Sequence, residues 1–231
     1  MWTGTAKKTA LDHLGRWSVD LFSGGDSRKA HASELPYVSL GELFRESKST
    51  RDPQNTPNEL FTYIGMENVE SNTGSLTGNL TRIGREIKSR SKVVSAGQIL
   101  YGRLRPNLNK VCLFDGAQQN VICSTEFFVL NVESDKVYPL VLREILSSRI
   151  VLDEALRFIS GAALPRISFS DLASIKVPLP SMTEQAELEA FISKMQAERE
   201  TLRKQLSLIP SVVEDRLKQS LGIARFYASD L

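Results

Sequence analysis

The sequence predicts an α+β protein: a mixed, β-rich domain over residues 36–180, followed by a long coiled-coil-like helix over 181–222. Three observations predict it. Short runs of β-branched and aromatic residues, split by turn residues, fill the stretch from Pro36 to Val132. The apolar spacing then changes to three- and four-residue steps over 138–159. A heptad-like apolar seam follows from Leu188 to Leu217. The chain has 231 residues, 41% hydrophobic and 24% charged, which suits one good-sized domain with an appendage or two small domains.

Residues 1–35 are mixed and polar and form an N-terminal arm, with Ser23-Gly24-Gly25-Asp26-Ser27 as a turn. Leu11–Phe22 fits a short helix or an extended arm equally. Five β runs follow: Phe61–Ile64, Lys92–Val94, Gln98–Tyr101, Lys110–Phe114 and Glu126–Val132. Turn chemistry separates them at Ser71-Asn72-Thr73-Gly74, Ala96-Gly97, Arg105-Pro106-Asn107 and Asp115-Gly116. Arg51–Asn58 holds two prolines and little apolar content, so it is a loop.

Leu140, Val141, Ile145, Leu146, Val151, Leu152, Ala155, Leu156 and Ile159 mark one amphipathic helix or two, closed by Ser160-Gly161 as a C-cap. Leu164–Ile167 is extended, since a residue before proline leaves the helical region. Ser170-Asp171-Leu172 opens a single turn, and Ile175–Pro180 is a last strand. Thr183 is the expected N-cap of the long helix, with Glu184 and Glu187 at the positive end of its dipole. Leu188, Ile192, Met195, Leu202, Leu206, Ile209, Val213 and Leu217 form the seam, over about four heptads. Pro210 predicts a kink, or two helices meeting near Leu208–Pro210. Such a stripe needs burial, and no second long helix is at hand, so another chain or a second copy is its expected partner. Residues 223–231 are a tail.

No Walker loop, Rossmann fingerprint or Gly-x-Ser-x-Gly elbow occurs. His13 and His31 are the only histidines and lie outside the main domain, which argues against Ser–His or Cys–His catalysis. Cys112 and Cys123 have no metal-ligand spacing and read as small buried strand residues. Asp115 and Glu126 flank a β run and loosely fit a nuclease, without a well-placed lysine after Glu126; surface charge is the ordinary reading. There is no apolar core of signal-peptide length and no run of about 18 apolar residues, so a soluble, cytoplasmic protein is expected.

Charge is the informative signal. The chain carries a net +2. Between Leu76 and Lys110, however, Arg82, Arg85, Lys88, Arg90, Lys92, Arg103, Arg105 and Lys110 face the single acid Glu86, a net +7 that leaves −5 for all other residues. Phosphate binding needs such a local field; a solvated basic face is the alternative. Arginine pairs with guanine and asparagine with adenine through two hydrogen bonds each. Arg103, Arg105, Asn107, Asn109 and Lys110 on a proline-stiffened loop are therefore candidates for a DNA groove, and each alternatively binds phosphate.

At these residues a family resemblance appears. Ile99-Leu100-Tyr101-Gly102-Arg103-Leu104-Arg105-Pro106-Asn107-Leu108-Asn109-Lys110-Val111 resembles the strand, arginine-proline, lysine-valine segment of type I restriction–modification specificity subunits. Ser124-Thr125-Glu126-Phe127-Phe128-Val129-Leu130 resembles their Ser-Thr-Glu-Phe strand. Gly161–Ser168, whose Arg166 is a further DNA-binding candidate, then Ile175–Pro180 and Glu184-Gln185, is similar to the family's domain ending, with its glycine loop, strand, Pro-x-Pro exit and Glu-Gln opening of the spacer helix. The similarity runs from about Tyr37 to Leu221. It implies a target-recognition domain that binds one half of a split double-stranded DNA site and is itself non-catalytic. It also implies adenine methyltransferase and restriction subunits as partners, which would hold S-adenosylmethionine, ATP and magnesium; no cofactor is expected in this chain. The family usually carries two recognition domains and two spacer helices, whereas one of each is found here. The expectation is a half-size subunit that forms a homodimer through its helix. A recognition domain from another defence system or a fused methyltransferase would look the same, and Gly15–Asp20 resembles the opening of such domains in fused enzymes. A nonspecific DNA-binding interaction module is the other reading.

Overall fold

The computed structural model describes residues 35–159 and 164–221. The N-terminal arm, the expected cap at Ser160-Gly161 and the C-terminal tail fall outside the described residues, apart from Leu35. Ten strands come first: β1 (Tyr37–Ser39), β2 (Phe44–Glu46), β3 (Thr50–Arg51), β4 (Leu60–Ile64), β5 (Thr81–Ile83), β6 (Ser91–Val93), β7 (Gln98–Gly102), β8 (Val111–Phe114), β9 (Val121–Cys123) and β10 (Phe127–Val132). Then come α1 (Pro139–Ser147), α2 (Arg149–Phe158), α3 (Phe169–Ser174), β11 (Lys176–Pro178) and α4 (Met182–Ser220). This is an α+β fold ending in a long helix, as the sequence predicts. The chain divides into two compact units between Met182 and Thr183.

Two sheets build the first unit. One has the order β2-β10-β7-β8, the other β3-β6-β9-β4-β5, and β1 pairs with β11 apart from both. Side chains alternate across a strand, and that alternation sorts the core. Phe127 and Val129 of β10, Leu100 of β7, and Cys112 and Phe114 of β8 meet Ile64 of β4 with Val121 and Cys123 of β9 in one buried cluster. Ile122, between the last two, turns to the other face and joins Phe61 and Ile87. Phe128 likewise faces away from the main cluster, and Phe169 of α3 packs edge-on against it at 5.6 Å and against Phe44 at 5.9 Å. Both cysteines are free, and burial pushes their thiols up to about 12.

The helical stretch is two helices. Ser148 ends α1 and caps α2, its Oγ accepting from Val151 N at 3.5 Å. Arg51–Asn58 is more ordered than a loop. It holds the end of β3 and a 3-10 turn at Pro53–Asn55, where Asp52 Oδ1 accepts from Gln54 N at 3.1 Å. The expected single turn at Ser170 is a six-residue helix capped by Ser168.

In the second unit, α4 is one helix of 39 residues that continues through Pro210, so of the two readings the single long helix holds and two helices meeting near Leu208–Pro210 do not. Proline removes one backbone donor, so one intrahelical bond is lost while neighbouring turns keep theirs. The helix opens at Met182, which places Thr183 inside its first turn rather than at the cap. Leu188 and Ile192 are half-buried, whereas Met195, Leu202, Leu206, Ile209, Val213 and Leu217 are exposed. No helix among the described residues is long and apolar enough to cross a membrane.

Candidate nucleic-acid interface

The basic span is split between the two sheets. Arg82 stands on β5, an edge strand, and Lys92 on β6, three places across the same sheet. At the usual strand spacing those two strands are roughly 14 Å apart. Arg85 lies in the 3-10 turn Gly84–Glu86, and Lys88 and Arg90 are exposed in the connection to β6. Arg103, Arg105, Asn107, Asn109 and Lys110 belong to the β7–β8 connection of the other sheet. A run continuous in sequence is thus carried by two sheets, with Lys92 of one and Arg103 of the other both over the Phe128 ring.

Three of the basic and amide candidates are engaged inside the protein. Lys92 Nζ donates to Glu46 Oε1 at 3.0 Å and lies 5.4 Å over the Phe128 ring. Lys110 Nζ donates to the carbonyls of Met66 and Val69 at 2.6 and 2.8 Å. Asn109, only 8% exposed, donates through Nδ2 to Asn72 Oδ1 and to the Ser147 carbonyl. Lys92 is thereby tied to Glu46 of β2, while Asn109 and Lys110 hold the loop rather than extend from it.

The loop they hold is unusual in its backbone. Arg105 and Asn109 adopt the left-handed conformation, at φ +49° and +47°, on either side of the 3-10 turn Pro106–Leu108. Non-glycine residues rarely stay there, and strain of this kind gathers where a loop presents side chains. Arg105 and Asn107 are exposed at this turn.

The loop is stitched to the segment before α3. Leu104 and Arg166 form an antiparallel bridge, Arg105 N donates to Pro165 O at 2.8 Å, and Ile167 N donates to Arg103 O at 3.1 Å. Arg103 N donates to Glu126 O at 2.9 Å, which ties in the start of β10. Arg166 therefore stands on backbone next to Arg103 and Arg105, from which it is distant in sequence. The Arg103 guanidinium lies 5.3 Å over the Phe128 ring, and its buried Nε makes no hydrogen bond. Arg166 Nε donates to both oxygens of Glu126 at 3.2 and 3.0 Å, and its Nη2 donates to Oε1 at 2.8 Å. Those hydrogen bonds hold the Glu126 carboxyl below the usual carboxylate range, against the opposing effect of its partial burial, with the Arg166 and Arg103 charges adding to them.

Glu126 is thus committed to an arginine, and Asp115 is exposed at the end of β8. No group of three or more metal-ligating side chains exists among the described residues.

Sequence reasoning missed Arg143 altogether. It is 3% exposed and donates from Nε to Val111 O and from Nη2 to Asn72 O, both at 3.1 Å. It pins the Asn72 turn beside Asn109. Gly74 of that turn has φ +67°, and a Cβ there would collide with the Val111 carbonyl oxygen. One signal was present: Arg143 falls on the Leu142–Leu146 face of α1, where the helical period calls for an apolar residue.

Residues 33–209 match the family profile of the type I restriction modification DNA specificity domain. The chain is 30% identical over 177 residues to the type I restriction enzyme EcoDI specificity subunit of Escherichia coli, covering 76% of this chain and 37% of that protein. It is 22% identical over 175 residues to the HindI specificity subunit of Haemophilus influenzae, covering 71% and 35%. The HsdS subunit from Thermoanaerobacter tengcongensis superposes with a TM-score of 0.64 at 22% identity, over 87% of this chain and 52% of that one. A second structure, from a study of complex assembly and conformational transition of the type I R-M system, gives 0.63 at 23% identity, over 86% and 52%. The chain spans just over a third of the curated relatives and about half of these structures. Matched by that profile over most of its length, the chain belongs to the type I restriction–modification DNA specificity family.

Proposed function

We propose that this chain recognises a double-stranded DNA sequence as a specificity component of a type I restriction–modification system. In this reading it directs adenine methyltransferase and restriction subunits to a split target. The chemistry, with its S-adenosylmethionine, ATP and magnesium, belongs to those partners. One observation carries the reading: Arg103, Arg105 and Arg166 gather on stitched backbone beside an exposed, strained turn, in a chain of this family. Arg82, Arg85, Lys88 and Arg90 supply the second basic group, suited to phosphates that set register without reading sequence. Asn109 and Lys110 act as supports of the loop, and Lys92 pairs with Glu46. Two copies pair through the exposed seam of α4, which would give a symmetric split site.

Arg103→Ala and Arg105→Ala test the assignment. Each should weaken binding to the recognised duplex by roughly 1–3 kcal/mol if that side chain reads a base, measured by fluorescence anisotropy. A double variant that binds as tightly as the parent removes these residues from the interface.

A further inference from the structure

We propose that Glu126 is a positioning residue which fixes the plane of Arg166 so that Arg166 reads a guanine edge, with Arg103 held alongside; this rests on the DNA-reading function proposed above. Both backbones are anchored first. Glu126 N donates to Ser124 Oγ at 3.2 Å, and Glu126 O accepts from Arg103 N. Arg166 is held by its bridge to Leu104 and by the bonds flanking it. Between two fixed backbones, the carboxylate takes the Nε–Nη2 edge of the guanidinium.

A guanidinium carries five N–H donors in one plane. Nε and Nη2 each donate to Glu126, which leaves three N–H groups, both of those on Nη1 among them. No hydrogen bond from Nη1 is present among the described residues. The Nη1–Nη2 edge is therefore set in direction by Glu126 and remains open for a ligand.

Geometry and charge together point to a base rather than a phosphate. Phosphate attraction depends on net positive charge and tolerates a loose side chain. Here an acid is placed against the cation, which lowers the local charge and fixes the plane. A planar pair of donors in a fixed direction is what the O6 and N7 acceptors of guanine require. Arg103 adds a second constrained cation: it is stacked on Phe128, its buried Nε makes no hydrogen bond, and Glu126 is the acid beside it.

The test uses the full chain. A duplex is selected from a random library with the parent protein, and affinity is measured for that duplex and a shuffled one. Glu126→Gln, close in shape, should lose about tenfold to a hundredfold on the selected duplex, while affinity for shuffled DNA holds or rises because a negative charge has left the interface. Arg166→Lys keeps the charge and loses the planar fork. It should relax preference at one G·C pair and leave the salt dependence on shuffled DNA unchanged. Equal losses on both duplexes, or an unchanged preference, overturn the inference; in the second case Arg166 contacts phosphate only. Should Glu126→Gln fail to fold, Arg166→Lys alone decides. If the parent selects no sequence, the proposed function itself fails, and the clamp with it.

Discussion

Arg143 enters the interior as a full charge, which is costly unless its donors are met. Its bonds to Val111 O and Asn72 O, with its Nη1 ion pair to Glu144 Oε1 at 2.5 Å, meet them and join α1, β8 and the Asn72 turn. Arg143→Met would fill similar space and leave those carbonyls unpaired. The expected loss is about 3 kcal/mol of unfolding free energy, read by urea denaturation; a loss under about 1 kcal/mol would show that the bonds contribute little. Legibility at this scale followed chemistry along the chain. Arg103 and Arg105 were visible because arginines crowd a proline loop. Glu126 was visible beside Asp115 as a strand-flanking acid and within the Ser-Thr-Glu-Phe strand, but not as the partner of Arg166, which is 40 residues away and meets it only once Leu104 and Arg166 are bridged. Lys110 and Asn109 were legible as polar loop residues, but not as residues turned inward, because their partners are carbonyls and amides of distant turns.

Strands with strong apolar character were readable, and weak ones were not. β4, β7, β8 and β10 carry β-branched and aromatic runs and lie within a residue or two of their expected bounds. β2, β3 and β5 are two or three residues long and stand at sheet edges, so their pairing comes from β10, β6 and β4 rather than from local preference. The heptad seam of α4 was legible, and the choice between one helix and two at Pro210 was left open, because a local rule about proline competes with the many backbone bonds around it. Leu206 is 66% exposed and Leu202 53%. Pairing of two copies along this seam should give a dimer mass in sedimentation at tens of micromolar, lost in a Leu202→Glu, Leu206→Glu variant. A parent that sediments as a monomer, with and without DNA, contradicts the pairing.

The α+β class was readable because it depends on periods alone, two in the strands and 3.6 in the helices. The division of the strands into separate sheets depends on long-range pairs such as the parallel match of β4 with β9, which local sequence does not encode. That division is why a basic span continuous in sequence is carried by strands and connections of two sheets. The central claim is that the molecule distinguishes one DNA sequence from another. The direct measurement is competition binding, near physiological salt, between a duplex selected by the protein and a shuffled duplex of equal length and composition. The account predicts a preference on the order of a thousandfold or more for the selected duplex. Equal affinity for the two, with the same steep salt dependence, would contradict it and leave a basic surface that binds DNA without reading it.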